Sequence, residues 1–159
     1  MREHEHPELD AIDRKFIHAM QRISIPVARI ALAIIFIWFG VLKIIDNSSI
    51  APLVAQLNEA VGIGVDQHAF LIFLGIYETA IGLCFLIVRL ERVAILLLIP
   101  HLVVTFLPLF LLPEATWQGF LSPTIVGKYC IKNLLVIATA MGVAAHLHPR
   151  KFHAIRRIH

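Results

Sequence analysis

Four apolar stretches, each about twenty residues long, dominate the sequence and leave few folds open to it. They cover approximately residues 25–45, 69–88, 93–112 and 125–145. A helix rises about 1.5 Å per residue, so each stretch is long enough to cross a hydrocarbon core about 30 Å thick. Since 58% of the residues are hydrophobic and only 16% are charged, the sequence predicts an all-α integral membrane protein built as a four-transmembrane-helix bundle.

The basic residues fall at the ends of the apolar stretches and predict an orientation. Short cytoplasmic segments of membrane proteins accumulate Lys and Arg. Such residues precede the first stretch, separate the second from the third, and follow the fourth: Arg14, Lys15, Arg22, Arg89, Arg92, Arg150, Lys151, Arg156 and Arg157. We therefore expect a multi-pass protein of a bacterial inner membrane with both termini in the cytoplasm. The dispersed net charge of +3 argues against binding to nucleic acid.

The residues before the first stretch carry a helical pattern of their own. Leu9, Ile12, Phe16, Met20 and Ile23 recur at helical spacing beside a charged face. This pattern predicts an amphipathic helix lying on the membrane interface, in contact with anionic lipids of the cytoplasmic face. The expected organisation is a cytoplasmic amphipathic segment over residues 1–24, a bundle over 25–147, and a basic cytoplasmic tail over 148–159.

The first outer connection also contains a helical pattern. Leu53, Val54, Leu57 and Val61 share a helical face, which ends before a break at Gly62 and Gly64. The pattern predicts a short helix over the mouth of the bundle. This helix either packs at the interface or acts as a lid.

Six ionisable residues lie inside the predicted membrane helices: Arg29, Lys43, Glu78, His101, Lys128 and Lys132. Each costs about 2.5–3.5 kcal/mol on insertion scales, so all six are candidates for a ligand or proton site. Glu78 lies near the centre of its helix, on a face with Gly75 and Gly82 that lets another helix approach closely. Lys43 has a long stem that can reach Glu78, and an ion pair between the two is expected.

The other candidates are less decisive. Lys132 lies at a depth similar to that of Glu78, whereas Lys128 fits an interfacial anchor equally well. His101 follows Pro100 on a helix that we expect to be kinked. One acid among several bases suits an anion, an acidic small molecule or a quinone carbonyl, and the alternative is that the charges only fix helix register. The sequence shows no metal motif, and its two cysteines are expected to be packing residues.

Three elements in the first two helices carry a resemblance to a known family: Arg29, then Gly40-Val-Leu-Lys43, then Gly75-Ile-Tyr-Glu78-Thr-Ala-Ile-Gly82-Leu. The pattern resembles the DoxX-like superfamily, and within it the YkgB or RclC type of inner-membrane protein linked to resistance to reactive chlorine. The likeness covers most of the chain beyond residue 25, and it carries over Arg29, Lys43 and Glu78 as site residues. It implies redox-linked or quinone-linked work in the membrane, with a membrane or peripheral oxidoreductase as partner.

Other roles stay open at this point. A homo-oligomer, a structural or assembly subunit of a larger membrane complex, and a small proton-coupled transporter are all compatible with the sequence. No nucleophile or nucleotide motif is visible, so the residues leave open whether the protein is an enzyme.

Overall fold

A computed structural model describes residues 7–62 and 64–147 of the chain, with side chains from residue 12 onward. The elements in order are α1 (Pro7–Ile44), α2 (Ala51–Val61), α3 (Gln67–Leu86), α4 (Glu91–Phe106), α5 (Pro108–Leu111), α6 (Pro113–Thr116), β1 (Trp117–Gly119), β2 (Ser122–Pro123) and α7 (Ile125–Ala145). Four helical segments are long and apolar enough to cross a membrane: Ile12–Ile44, Gln67–Leu86, Glu91–Leu111 and Ile125–Ala145. The prediction of an all-α protein with four such helices is confirmed.

The four long helices run alternately in opposite directions. Both α1 and α4 pack against α3 and α7, and their shared core is apolar. Its fully buried members are Leu32, Ala33, Phe36, Ile81, Phe85, Ala94, Leu98, Ala140 and Val143. The bundle has two unlike ends. We call them the turn end, where residues 87–90 join α3 to α4, and the loop end, which carries α2, α5, α6 and the β1–β2 hairpin.

Glycines let α1 and α3 approach closely. A Cβ atom added to Gly40 would lie 2.6 Å from the carbonyl oxygen of Gly75, and one added to Gly75 would lie 2.7 Å from that of Gly40. A Cβ on Gly82 would meet the carbonyl oxygen of Ala33 at 2.9 Å. Side chains larger than hydrogen do not fit in such gaps. The small-residue face predicted around Glu78 therefore packs on α1.

The first helix is longer than predicted. With 38 residues, α1 is about 57 Å long at 1.5 Å per residue. Pro26 lies inside it; a proline removes one backbone hydrogen bond of the helix at that point, and α1 continues on both sides of it. The expected amphipathic segment is therefore continuous with the first span, and no helix end marks the boundary at residue 24. Residues 1–6 and the expected basic tail over 148–159 lie outside the described residues.

The loop end contains one predicted helix and several unpredicted elements. The helix expected in the first outer connection is α2, in which Val54 and Leu57 are buried. It ends at Gly62, whose φ of 68° is the left-handed conformation typical of a glycine at a helix end.

The third apolar stretch, predicted over residues 93–112, corresponds to the segment Glu91–Leu111, which is interrupted at Leu107 between α4 and α5. The interruption follows from proline chemistry, since Pro108 cannot donate a backbone hydrogen bond to the preceding turn. The hairpin that follows pairs only Trp117 with Pro123 and Gly119 with Ser122. Strands this short show no alternation of apolar and polar residues, so periodicity could not predict them.

Candidate functional site

An ion pair joins α1 to α3 inside the bundle. Lys43 Nζ lies 2.5 Å from Glu78 Oε2, and both side chains are buried. Lys43 is one residue from the end of α1, and its stem carries the ammonium group back toward the bundle centre, where Nζ also lies 3.5 Å from the carbonyl oxygen of Phe39. The predicted Lys43–Glu78 pair is present in the structure. Each charge compensates the other in surroundings where neither could be left alone.

His101 is a third member of this cluster. Its Nε2 lies 3.6 Å from Glu78 Oε1, the edge of the Phe36 ring meets it at a centroid distance of 5.3 Å, and the Tyr77 ring stacks on it at 6.5 Å. Its Nδ1 is buried and has no hydrogen-bond partner in the described part of the chain. Because 3.6 Å is longer than a hydrogen bond, the imidazole retains hydrogen-bonding capacity at both nitrogens.

The contact between His101 and Glu78 was not predicted, although the sequence contained a signal for it. His101 lies ten residues after the start of α4, and Glu78 lies eight residues before the end of α3. Measured from the turn end, these positions correspond to depths of about 15 and 12 Å. Matching depths on neighbouring helices would have placed the two side chains together.

A cavity of about 480 Å³ lies beside this cluster and is lined by residues of α1, α2, α3, α4, α5 and α7. Its lining is mainly apolar. The polar lining residues are Lys43, Ser48, Ser49, Glu78, His101, Thr105, Tyr129, Cys130, Lys132 and Asn133. Buried residues of α2, Val54 and Leu57, cover it at the loop end. A cavity of this volume, largely apolar with a few convergent polar groups, is typical of a small-molecule site.

The two lysines of α7 differ in their relation to the cavity. Lys132 is exposed and lines the cavity, with its Nζ 5.3 Å from the centroid of the Tyr129 ring. Lys128 is exposed and is not among the lining residues. This position fits the alternative prediction that Lys128 is an interfacial anchor. The expected surplus of bases around Glu78 is therefore smaller than predicted. Lys43 is neutralised by its partner, and Lys132 carries the remaining positive charge of the cavity lining.

Arg29 lies far from the cluster. It is fourteen residues before Lys43 on α1, which is about 21 Å along the helix. Its NH1 forms a salt bridge of 2.8 Å with Glu91 Oε1, and its other nitrogens donate to the carbonyl oxygens of Phe85 and Leu86 at 3.0–3.2 Å. The sequence grouped Arg29 with the intramembrane candidates, whereas the structure uses it to tie α1 to the turn end.

The remaining reactive groups do not form a second cluster. Cys84 is half-buried and Cys130 is buried, and both are free thiols. Over residues 12–62 and 64–147, where side chains are described, no group of three or more His, Cys, Asp or Glu could hold a metal ion.

The cluster combines a carboxylate, an ammonium group and an imidazole at the wall of an apolar cavity. Such a set can hold the polar end of a small molecule and can exchange a proton with it. Comparisons with protein-family models, curated proteins and solved structures give no match. The functional argument therefore depends on the geometry of this site.

Proposed function

We propose that the protein binds a small molecule with a polar head and an apolar body inside the membrane, and that a quinone is the chemical class that fits best. The observation that carries this proposal is His101. It is buried in the wall of a largely apolar cavity, next to a charged pair, and its Nδ1 has no partner in the described residues. Buried polar groups are normally hydrogen-bonded, so an imidazole with unused bonding capacity at the cavity wall is a candidate contact for a bound molecule.

The residues around the cavity suit a quinone head. A neutral imidazole has one donor and one acceptor nitrogen, so it can donate to a carbonyl oxygen or accept from a hydroxyl. Lys132 adds a cationic donor, and Phe36 and Tyr129 add aromatic surface. A quinone, when bound, supplies redox chemistry in which electrons are coupled to protons. Glu78 is the group of this chain that would take up or release a proton there, with Lys43 holding its carboxylate in place.

The motif resemblance supports a redox-linked role. Gly40, Lys43, Gly75, Glu78 and Gly82, which carry the resemblance to the DoxX-like superfamily, are also the residues that bring α1 and α3 together and build the ion pair. We therefore propose a DoxX-like membrane subunit of the YkgB or RclC type, in which a membrane or peripheral oxidoreductase exchanges electrons with the bound molecule.

We place the protein in a bacterial inner membrane with both termini in the cytoplasm. The positions of Lys and Arg support this orientation. The first part of α1 would then lie on the cytoplasmic interface, where its exposed apolar residues, including Ile12 and Phe16, meet lipid. Arg14, Lys15 and Arg22 are exposed on the same segment and suit anionic headgroups.

Binding to a cavity variant and to a matched control tests the proposal. Val104 lines the cavity, whereas its neighbour Val103 is exposed and is not among the lining residues. Val104→Trp fills the cavity, and Val103→Trp adds the same bulk to the outer surface. With the protein in lipid nanodiscs, a benzoquinone should raise the thermal midpoint of wild type and Val103→Trp, because a ligand that binds only the folded state stabilises it.

The Val104→Trp protein should lose this shift while keeping its helix content. A shift of equal size in both variants would show that the quinone does not occupy the cavity. Absence of a shift in wild type would remove the quinone proposal and would favour the alternative, in which the charges only fix helix register.

A further inference from the structure

One flank of the cavity is not closed by protein. The exposed apolar residues of the lining all belong to α1 and α7, and they keep a large part of their surface: Ile35 42%, Phe39 49%, Tyr129 50% and Leu135 70%. Lys132, also exposed, stands among them. We call this set of five residues the portal. It lies where α1 and α7 pack side by side.

The portal lies within the apolar length of its two helices and extends toward their midpoints. Ile35 lies nine residues before the end of α1, and Leu135 lies ten residues after the start of α7. These positions are about 14 and 15 Å from the loop end of their helices. A hydrocarbon core is about 30 Å thick, so the portal is at the depth of acyl chains.

The loop end is closed more firmly. Val54 and Leu57 of α2 are buried over the cavity. The segment after α2 is held by Asn58, whose Nδ2 donates to the carbonyl oxygen of Val65 at 2.7 Å. The loop end has one exposed lining residue, Ser49, whereas the flank between α1 and α7 has five.

We propose that the ligand reaches the cavity sideways from the bilayer, through the portal, and carries a hydrocarbon tail. The head lies against His101 and the Lys43–Glu78 pair, and the tail lies between α1 and α7, where it meets Phe39 and Leu135. Lys132 stands at the rim, and its flexible stem lets the ammonium group follow a polar head through an apolar gap. This inference rests on the proposed function, because it names the class of ligand for the same cavity.

A pair of probes and a pair of variants test it. The probes are a benzoquinone without a tail and the same head group with a decyl tail, each titrated against the protein in nanodiscs and corrected for partition into empty nanodiscs. Leu135→Trp narrows the portal. Leu134→Trp places the same bulk on the neighbouring residue, which is 56% exposed and is not among the lining residues. Helix content and binding of the tailless probe report whether each variant is folded.

The wild type should bind the decyl probe more tightly than the tailless one. The Leu135→Trp variant should weaken binding of the decyl probe by about tenfold, which corresponds to about 1.4 kcal/mol. Its affinity for the tailless probe, and both affinities of Leu134→Trp, should match those of wild type. If both probes bind wild type equally, or if the two tryptophan variants behave alike with the decyl probe, the portal is wrong while the cavity site stands. If neither probe binds wild type, the proposed function fails and the portal fails with it.

Discussion

Two ion pairs connect α1 to its neighbours, and they are built differently. Lys43–Glu78 lies inside the bundle, with side chains 4% and 8% exposed. Arg29–Glu91 lies at the turn end, with side chains 13% and 14% exposed. Beyond its carboxylate partner, Arg29 also donates to the carbonyl oxygens of two residues near the end of α3. The inner pair adjoins a cavity and a histidine with unused hydrogen-bonding capacity.

The comparison separates a structural ion pair from a candidate site. Arg29 satisfies carbonyl groups that the end of a helix leaves without partners, so its bonds complete the backbone of the bundle. The cluster of Lys43, Glu78 and His101 does not satisfy the free carbonyl groups of a helix end. It lines a cavity large enough for a ligand. The two sites therefore differ in whether hydrogen-bonding capacity remains once the contacts within the protein are made: it remains at His101 and not in the bonds of Arg29.

The largest effect is expected from breaking the inner pair. Lys43→Met and Glu78→Gln each remove one charge from a buried pair, and leaving a buried partner uncompensated costs about 3–5 kcal/mol of unfolding free energy. The double variant should recover much of this loss, because two apolar or neutral groups need no compensation. Reversible unfolding in mixed micelles of detergent and denaturing detergent measures all three. Additive losses in the double variant would show that the two side chains are not coupled.

The second largest effect is expected from Arg29→Met. Hydrogen bonds to a charged group contribute about 1.5–3 kcal/mol, and this substitution removes the guanidinium from both carbonyl oxygens and from Glu91. Hydrogen exchange should become faster in residues 86–92, where α3 ends and α4 begins. Arg29→Lys keeps the charge without the planar fork, so it should recover only part of the loss. Unchanged exchange at the turn end in Arg29→Met would contradict a structural role.

The sequence predicted the spans and the inner pair for simple physical reasons. Length, hydropathy and the scarcity of charge within the apolar stretches suffice to place Glu78 near the centre of a helix and to supply Lys43 as its partner. The helix α2 followed from a short apolar face ending at Gly62.

The sequence could not separate Arg29 from the site. Arg29 and Lys43 lie on one stripe of α1, and only the packing of α3 and α4 shows that their partners differ. The cavity could not be predicted from the sequence either, because it arises where side chains of six helices fail to fill the space between them. The continuity of α1 could not be predicted, because its amphipathic and apolar parts have different patterns and Pro26 lies near the boundary between them.

A third, intermediate effect is expected at the glycine contact that brings α3 to α1. In Gly75→Ala the new Cβ would meet the carbonyl oxygen of Gly40 at 2.7 Å and the Cβ of Lys43 at 2.9 Å. Overpacking of this kind costs about 1–3 kcal/mol, and the helices must separate, which should also weaken quinone binding. Gly142→Ala is the control, since nothing lies within 4 Å of the new Cβ. It should be neutral or should stabilise the helix by about 0.5–1 kcal/mol. Equal effects at the two glycines would contradict the close packing of α1 and α3.

The smallest effect is expected from Glu91→Gln, and it gives the sharpest contrast with Glu78→Gln. Arg29 keeps its bonds to Phe85 and Leu86 when Glu91 loses its charge, so no buried cation is left alone. Partly exposed pairs contribute about 0–1 kcal/mol, and the favourable placement of an acid in the first turn of α4 falls in the same range. The loss should shrink at high salt, because ions screen charges near water, whereas the loss in Glu78→Gln should not. If Glu91→Gln destabilised the protein as much as Glu78→Gln at every salt concentration, the two ion pairs would be energetically equivalent. Unused hydrogen-bonding capacity would then no longer distinguish the Lys43–Glu78 site from the Arg29–Glu91 pair.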